Sequence, residues 1–165
     1  MISKFTGKAW KYGDDINTDV IFPGKYTYQK MEPEEMAEHA LEDLDPEFIS
    51  QVKEGDILVA GKNFGMGSSR EQAATAVKYA GIKVIIAKSF ARIYFRNAIN
   101  AGMPAIKSPE AAAAIENGEE VTVDMAKGEI ITKRGTFTFP PYPETVMKIL
   151  EKDGLIHFIK STIKS

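Results

Sequence analysis

The residues best suited to chemistry lie in a glycine-rich segment, residues 61–71, which reads GKNFGMGSSRE. Its three glycines, at positions 61, 65 and 67, permit positive φ angles and a close approach of the backbone to a ligand. Ser68 and Ser69 fall where the following helix is expected to begin, and free N–H groups and the helix dipole favour an anion there. Arg70 adds a planar guanidinium that matches a carboxylate. The segment therefore predicts a carboxylate or phosphate site.

Helix capping is the alternative interpretation of the two serines. A serine before a helix is an ordinary cap, and Glu71 is spaced to complete a capping box with Ser68. The segment is not a Walker loop, because no Gly-Lys-Ser/Thr follows at the required spacing. It is not a dinucleotide fingerprint either, because the next strand ends without an acidic residue. Residue types and spacing alone thus indicate an anion site at a strand-to-helix turn.

The elements around this segment predict an α/β fold. The apolar run over residues 56–60 predicts a buried strand before the segment, and residues 84–87 predict the next strand. An alanine-rich stretch over residues 72–80 predicts the helix between them, and a second helix is expected over residues 90–101. This order of strands and helices is a βαβ unit.

The two ends of the chain complete the expected domain. Before the βαβ unit we expect a strand over 5–10, an extended piece over 19–22, an amphipathic helix over 33–44 and a short helical piece over 45–52. After it we expect strands over 120–124, 129–132 and 136–139, a helix over 144–153, and a short helix or tail. No repeat or long linker interrupts the 165 residues, so residues 1–165 are expected to form one domain.

Composition and charge narrow the classes of function. The net charge of −2 gives no reason to expect nucleic acid or an anionic membrane as partner. No apolar run approaches the roughly 20 residues of a membrane span, and the first residues lack a signal peptide, so a cytoplasmic protein is expected. The chain has no cysteine, which excludes disulfides, a thiolate nucleophile and a cluster ligated by its own thiolates. His39 and His157 lack any metal-ligand spacing, so metal chemistry would need a partner's metal.

Four blocks of the sequence resemble the swivel domain of the aconitase superfamily. Residues 63–71 contain the Gly-Ser-Ser-Arg-Glu core of that domain's signature. Residues 13–21 (GDDINTDVI) and 87–93 (AKSFARI) are similar to two further blocks. Residues 96–104 (RNAINAGMP) are typical of the small subunits of isopropylmalate dehydratases. The blocks stand in the family's order and cover roughly residues 5–106.

The resemblance implies a three-layer β/β/α swivelling domain of aconitase type and a hydro-lyase subunit acting on a small 2-hydroxy dicarboxylic acid. It implies interconversion of 2-isopropylmalate and 3-isopropylmalate, by dehydration and rehydration, in leucine biosynthesis. It also implies a large subunit as partner, which carries the [4Fe–4S] cluster as a Lewis acid. By motif position, Ser68 is the catalytic base, as an alkoxide, and Ser69 and Arg70 hold substrate carboxylate oxygens. The chain alone is expected to be inert.

Residues 23–29 (PGKYTYQ) align with the family's loop that reads the variable substituent of the substrate. Tyr26, Thr27 and Tyr28 are therefore expected to bind substrate. Relatives that handle citrate-like or homocitrate-like acids place an arginine at the position aligned with Tyr28, and an aromatic residue there favours a small alkyl group. Homoaconitate, citramalate and a dimethylmalate are alternative substrates. A non-catalytic anion-binding module is an alternative of another class, which intact Ser68 and Arg70 argue against.

Other polar and aromatic residues are expected to be structural. Asp14, Asp15 and Asp19 are typical turn residues, and we favour that role over a cation site. The arginines at 92 and 96 are expected to face solvent or a partner, and the aromatic residues at 90, 94 and 95 to pack in the interior.

Overall fold

A mixed seven-stranded sheet organises the fold in the computed structural model, which describes residues 4–68 and 70–164. The strands are β1 (Lys4–Lys11), β2 (Ile57–Ala60), β3 (Val84–Ala87), β4 (Ala105–Lys107), β5 (Glu120–Asp124), β6 (Glu129–Thr132) and β7 (Gly135–Thr138). Their spatial order is β4-β3-β2-β1-β5-β6-β7. Strands β1 to β4 run parallel to one another, whereas β5, β6 and β7 continue the sheet in antiparallel fashion.

Eight α-helices and one 3₁₀ turn connect these strands among the described residues. The helices are α1 (Thr18–Ile21), α2 (Pro33–Ala37), α3 (Phe48–Gln51), α4 (Gln72–Tyr79), α5 (Arg92–Asn100), α6 (Pro109–Ala114), α7 (Glu144–Glu151) and α8 (Leu155–Lys164). The 3₁₀ turn covers Gly24–Tyr26. Helix α4 connects β2 to β3 and α5 connects β3 to β4, which confirms the βαβ order expected from the sequence.

Strand β1 belongs to both halves of the sheet. Its first residues pair with β5, from Lys4 opposite Asp124 to Lys8 opposite Glu120, and its last three pair with β2. The buried carboxylate of Asp56, at the start of β2, accepts a hydrogen bond from the indole Nε1 of Trp10 at 2.9 Å. This bond ties β1 to β2 beyond the backbone ladder.

Two hydrophobic cores lie on opposite faces of the parallel strands. Leu58 and Ile85 point to one face, where they pack against helices α1, α3 and α4. Ile57 and Ile86 point to the other face, where they meet the apolar side chains of β5, β6, α6 and α7. Helices, parallel strands and antiparallel strands therefore form three layers, which confirms the predicted β/β/α architecture of the swivel domain.

Two elements near the N-terminus differ from the sequence prediction. Residues 19–22 were expected to be extended, but Thr18–Ile21 is a helical turn whose N-cap, Asn17, accepts a hydrogen bond from the Val20 N–H at 3.0 Å. The helix expected over residues 33–44 ends at Ala37. Leu41 is fully buried with φ of 57°, and its N–H bonds to Ile21 O at 2.9 Å. The core holds Leu41 in a backbone conformation that a helix does not permit.

Two further elements escape the sequence prediction altogether. Strand β4 pairs with the carboxyl-terminal part of β3 at the edge of the sheet. Helix α6 follows it, with Ser108 as N-cap and Pro109 at the first position, both ordinary helix-start residues.

The tail after α7 is helix α8, which exposes Ile156, Ile159 and Ile163. Across the described residues, no helix combines the length and the apolar character needed to cross a membrane.

The loops after β1 and β2 lie side by side, because parallel strands end at the same edge of a sheet. The two loops exchange backbone hydrogen bonds. The Asp15 N–H donates to Lys62 O at 2.7 Å, and the Gly65 N–H donates to Ile16 O at 2.8 Å. The loop after β3 joins them through Phe64, whose N–H bonds to Ser89 O at 3.1 Å. The family blocks that begin at residues 13, 63 and 87 thus meet at one edge.

Glycine is required in this loop for contact with the protein itself. Gly65 and Gly67 have φ of 85° and 104°, as the sequence predicts, and a Cβ at Gly65 would overlap the ring of Tyr94. Gly61 is not in the left-handed region, but a Cβ there would overlap the carboxylate of Asp14. These glycines let the loop pack against α5 and the loop after β1, not only against a ligand.

Gly65→Ala is expected to lower the free energy of unfolding by at least about 2 kcal/mol, because it adds left-handed strain of about 1–2 kcal/mol and overpacking of about 1–3 kcal/mol. Urea denaturation measures the change. Gly13→Ala is the matched control, since a Cβ at Gly13 meets nothing within 4 Å. Equal stabilities of the two variants would contradict this account of the loop.

Candidate active site

Ser68 stands exposed at the outer end of the glycine loop. Its Oγ accepts a hydrogen bond from Nε of Arg70 at 2.9 Å. The same oxygen lies 3.0 Å from Oγ1 of Thr18, and either hydroxyl is able to donate. The candidate base therefore touches one permanent cation and one hydroxyl.

Helix capping does not account for Ser68. The N-cap of α4 is Glu71, three residues further on, and its side chain makes no cap hydrogen bond, so the capping box is absent. The dipole of α4 acts mainly within the first turn of the helix, which Ser68 precedes. The sequence-based expectation that Ser68 lies at the helix N-terminus is wrong. The positive charge near its oxygen comes from the Arg70 guanidinium.

Arg70 is held by a ring of partners from three segments, and its side chain is only 11% exposed. Nη1 donates to Oγ1 of Thr27 at 3.1 Å, and Nη2 donates to Oδ1 of Asp19 at 2.9 Å and to the carbonyl of Phe22 at 2.8 Å. With Nε on Ser68, four of the five N–H groups are engaged within the described residues. The guanidinium is thus fixed by contacts within this chain.

The loop of residues 23–29 divides between two locations. Thr27 bonds to Arg70 and therefore belongs to the group around Ser68. Tyr28 is fully exposed to solvent. Tyr26 turns towards α2 and the turn after it: its ring stacks on His39 with centroids 4.1 Å apart, and its hydroxyl donates to Glu42 at 3.0 Å. The structure does not bring Tyr26 into the hydrogen-bonded group around Ser68.

Glu42 is the centre of this second group. Its partial burial alone would raise the pKa of the carboxyl, but hydrogen bonds from His39 and Tyr26, with the charge of Lys25, outweigh burial and hold the pKa below its ordinary value. Burial and the adjacent Glu42 raise the pKa of Tyr26. The Lys25 ammonium lies 3.9 Å from Glu42, so this lysine is directed to the acid.

Of the three aspartates near the N-terminus, Asp14 and Asp15 have the structural role expected from the sequence, whereas Asp19 makes a contact that was not expected. Asp14 accepts from the Lys62 N–H at 2.7 Å, and Asp15 from the side-chain amide of Asn63 at 3.0 Å. These contacts hold the glycine loop. Asp19 instead pairs with Arg70 and belongs to the site. Within residues 4–68 and 70–164, no group of three or more potential ligands is arranged to hold a metal ion.

The other residues singled out from the sequence are Ser69, three aromatic residues and two arginines. Ser69 lies outside the described residues. The aromatic residues Phe90, Tyr94 and Phe95 pack around Phe64 and each other, which confirms their packing role. The arginines at positions 92 and 96 are exposed. Sequence analysis missed Thr18 and did not connect Asp19 to Arg70. The signal was present, because the block containing both residues follows β1 as the glycine loop follows β2.

A match to a protein-family model shows the class of protein to which this chain belongs. Residues 10–111 match the family model described as the aconitase C-terminal domain. This match, the three-layer fold and the loops gathered after β1, β2 and β3 define an aconitase-type swivel domain.

Relatives that match along nearly the whole chain show the particular family within this class. The 3-isopropylmalate dehydratase small subunit of Caldicellulosiruptor saccharolyticus is 53% identical, over 97% of this chain and 93% of its own. That of Aquifex aeolicus is 48% identical, over 100% and 99%. The crystal structure of a 3-isopropylmalate dehydratase protein from Methanocaldococcus jannaschii matches with a TM-score of 0.90 at 43% identity, over 97% of this chain and 95% of that one. The chain belongs to the family of 3-isopropylmalate dehydratase small subunits.

Glu42→Gln is expected to lower the free energy of unfolding by about 1 kcal/mol near pH 6. A carboxyl whose pKa is depressed on folding stabilises the protein above its ordinary pKa, and this stabilisation is lost as pH falls through the lowered value. The difference from the unchanged protein should therefore shrink towards pH 3, as measured by urea denaturation. Glu38→Gln, at an exposed position, is the control. A difference independent of pH would count against the assigned contacts.

Proposed function

We propose that this chain is the small subunit of 3-isopropylmalate dehydratase and that, with a large subunit, it interconverts 2-isopropylmalate and 3-isopropylmalate in leucine biosynthesis. Residues 1–165 act in this proposal as one swivel domain, in the cytoplasm. The observation that carries the proposal is the contact of 2.9 Å between Arg70 Nε and Ser68 Oγ, in a chain about half identical to named small subunits.

Ser68 takes the proton from the substrate carbon in this proposal and returns one in the reverse direction. A free hydroxyl is a poor base, so its alkoxide needs positive potential and donated hydrogen bonds. Arg70 offers both through Nε. The exposure of Ser68 leaves its oxygen open to a substrate held between the subunits.

Arg70 supports the base more than it clamps the substrate. Its contacts to Ser68, Thr27, Asp19 and Phe22 leave one Nη1 hydrogen for a substrate carboxylate, as far as the described residues show. A bidentate grip uses two adjacent nitrogens, so it would require Nη2 to leave Asp19 or the Phe22 carbonyl. Ser69, with its hydroxyl and backbone N–H, is proposed to supply the neighbouring contact to the carboxylate.

This chain's own residues do not fit an iron–sulfur cluster, since it has no cysteine and its described residues form no metal-binding group. The proposed [4Fe–4S] cluster is therefore carried by the large subunit, where it would act as a Lewis acid on the substrate hydroxyl. In this chain, residues Ser68, Arg70 and Thr27 would hold the substrate and move its proton.

Substrate selectivity is assigned to the exposed end of the 23–29 loop. Tyr28 projects fully into solvent, where a partner-bound substrate could reach it. Of the two lysines near Tyr28 in the sequence, Lys25 is directed to Glu42 and to the ring of Tyr26, whereas Lys30 is exposed. With no arginine at position 28, the loop favours an alkyl substituent over a third carboxylate.

Ser68→Ala is expected to lower kcat of the assembled two-subunit enzyme by at least about 10³-fold, because it removes the base, while general base catalysis alone is worth about 10²–10⁴-fold. The assay follows dehydration of 3-isopropylmalate after mixing with the large subunit. Ser50→Ala, an exposed serine on α3, is the control. Unchanged turnover by the Ser68 variant, or full turnover by the isolated chain, would refute the proposal.

Tyr28→Arg is expected to shift the ratio of kcat/KM between isopropylmalate and homoaconitate towards homoaconitate by about tenfold or more, since it adds a cation for the extra carboxylate. Tyr79→Arg, an exposed tyrosine on α4, adds the same charge elsewhere. Steady-state rates on both acids measure the ratio. The same ratio in both variants would remove this loop from the substrate site.

A further inference from the structure

We propose that Thr18 is a positioning residue for the base: its hydroxyl donates to Oγ of Ser68 when that oxygen is an alkoxide, so that Thr18 and Arg70 form a two-donor cradle. The catalytic use of the cradle rests on the role proposed for Ser68 above. The cradle itself is a property of this chain and is testable without a partner.

Thr18 is buried and fixed, as such a donor must be. Its exposed fraction is 1%, although Ser68 beside it is exposed. Its N–H bonds to Met66 O at 2.9 Å, and its carbonyl accepts from Phe22 N–H at 2.9 Å. A Cβ at Gly67 would lie 3.3 Å from Oγ1 of Thr18, so the glycine loop passes close to this hydroxyl. The Thr18 hydroxyl is thereby held 3.0 Å from Ser68 Oγ.

Proton counting fixes the direction of this hydrogen bond. With Ser68 protonated, either hydroxyl is able to donate to the other. When Ser68 loses its proton to solvent, its oxygen only accepts, and Thr18 becomes the donor with its own O–H bond intact. Arg70 Nε donates in both states. The alkoxide therefore receives two hydrogen bonds, one of them from a cation, and such charge-assisted bonds are the strong ones.

The charged groups around the cradle favour the alkoxide. On the described part of the glycine loop, Arg70 touches Ser68 directly. On α1, the carboxylate of Asp19 is directed to Nη2 of Arg70 and is 71% exposed, so water screens its charge. In the 23–29 loop, the Lys25 ammonium lies towards Glu42. Preorganised donors of this kind need no rearrangement when charge develops.

The first test uses the absence of cysteine from the chain. Ser68→Cys introduces the only thiol, and its titration in the isolated full chain is followed by thiolate absorbance and alkylation rate. We expect the pKa of this thiol to lie at least about one unit below the ordinary value of about 8.5. Adding Thr18→Val should raise it by about 0.5–1 unit, because a thiolate donor is lost, and adding Thr18→Ser should restore it.

Thr122→Val is the matched control for the thiol titration. It removes a hydroxyl that pairs with Thr6 at 2.8 Å on the antiparallel half of the sheet. This change should leave the thiol titration where it was. An unshifted thiol in the Ser68→Cys protein, or equal values with Thr18 and with Thr18→Val, would overturn the cradle. Urea denaturation of each variant verifies that it is folded.

The second test uses the assembled enzyme with Ser68 intact. Thr18→Val should lower kcat by about 10- to 100-fold with little change in KM, somewhat less than the 10²–10³-fold typical of a lost oxyanion donor. The rising limb of the pH profile should move to higher pH, and Thr18→Ser should recover most of the rate. A purely structural Thr18 would lower the rate at all pH values without moving the limb, which would overturn the inference.

The two proposals fail in different ways. If Ser68→Ala leaves turnover unchanged, the proposed function is refuted whatever Thr18 does. If Ser68→Ala abolishes turnover while Thr18→Val alters neither the thiol titration nor the pH profile, only the inference about Thr18 is refuted.

Discussion

The parallel pairing of β1 with β2 is the constraint from which the site follows. It places Ala9 opposite Ile57 and Lys11 opposite Val59, so the two strands end at the same edge. The loops that leave this edge are about fifty residues apart in the sequence, yet they exchange backbone hydrogen bonds along their length. Ser68 and Thr18 are neighbours because this ladder of loop contacts continues the register of the strands.

The same arrangement of loops holds the cation of Arg70 beside Ser68. The base proposed here is a serine, which needs a nearby cation, but an arginine in open solvent would be screened and mobile. Here the guanidinium is nearly buried, and Asp19, the Phe22 carbonyl and Thr27 fix it in place. The acid that pairs with it is itself largely in water. The contacts that hold Arg70 thus lie within this chain, while the oxygen of Ser68 remains exposed to solvent.

The sequence predicts the parts of this structure that depend on local patterns. The apolar runs of β2 and β3 and the alanine-rich helix between them are confirmed at nearly the expected bounds, and the serine–arginine motif indicates the site. Prediction is wrong where distant contacts override local preference: Leu41 is buried and bonds through its N–H to Ile21 O, and the predicted helix stops before it, at Ala37. The prediction lacks helix α1, because it takes residues 19–22 as extended and gives no weight to Asn17 as an N-cap. The contact between Thr18 and Ser68 joins residues fifty positions apart, and no local pattern encodes it.

The double membership of β1 has a mechanical consequence. Because one continuous strand is hydrogen-bonded to both the parallel and the antiparallel half, neither half is able to rotate against the other without breaking a ladder. The second core, packed between the two halves, adds to this stiffness. We therefore expect the chain to move as a rigid body, so that a movement bringing Ser68 to the proposed substrate would take place at the boundary between subunits.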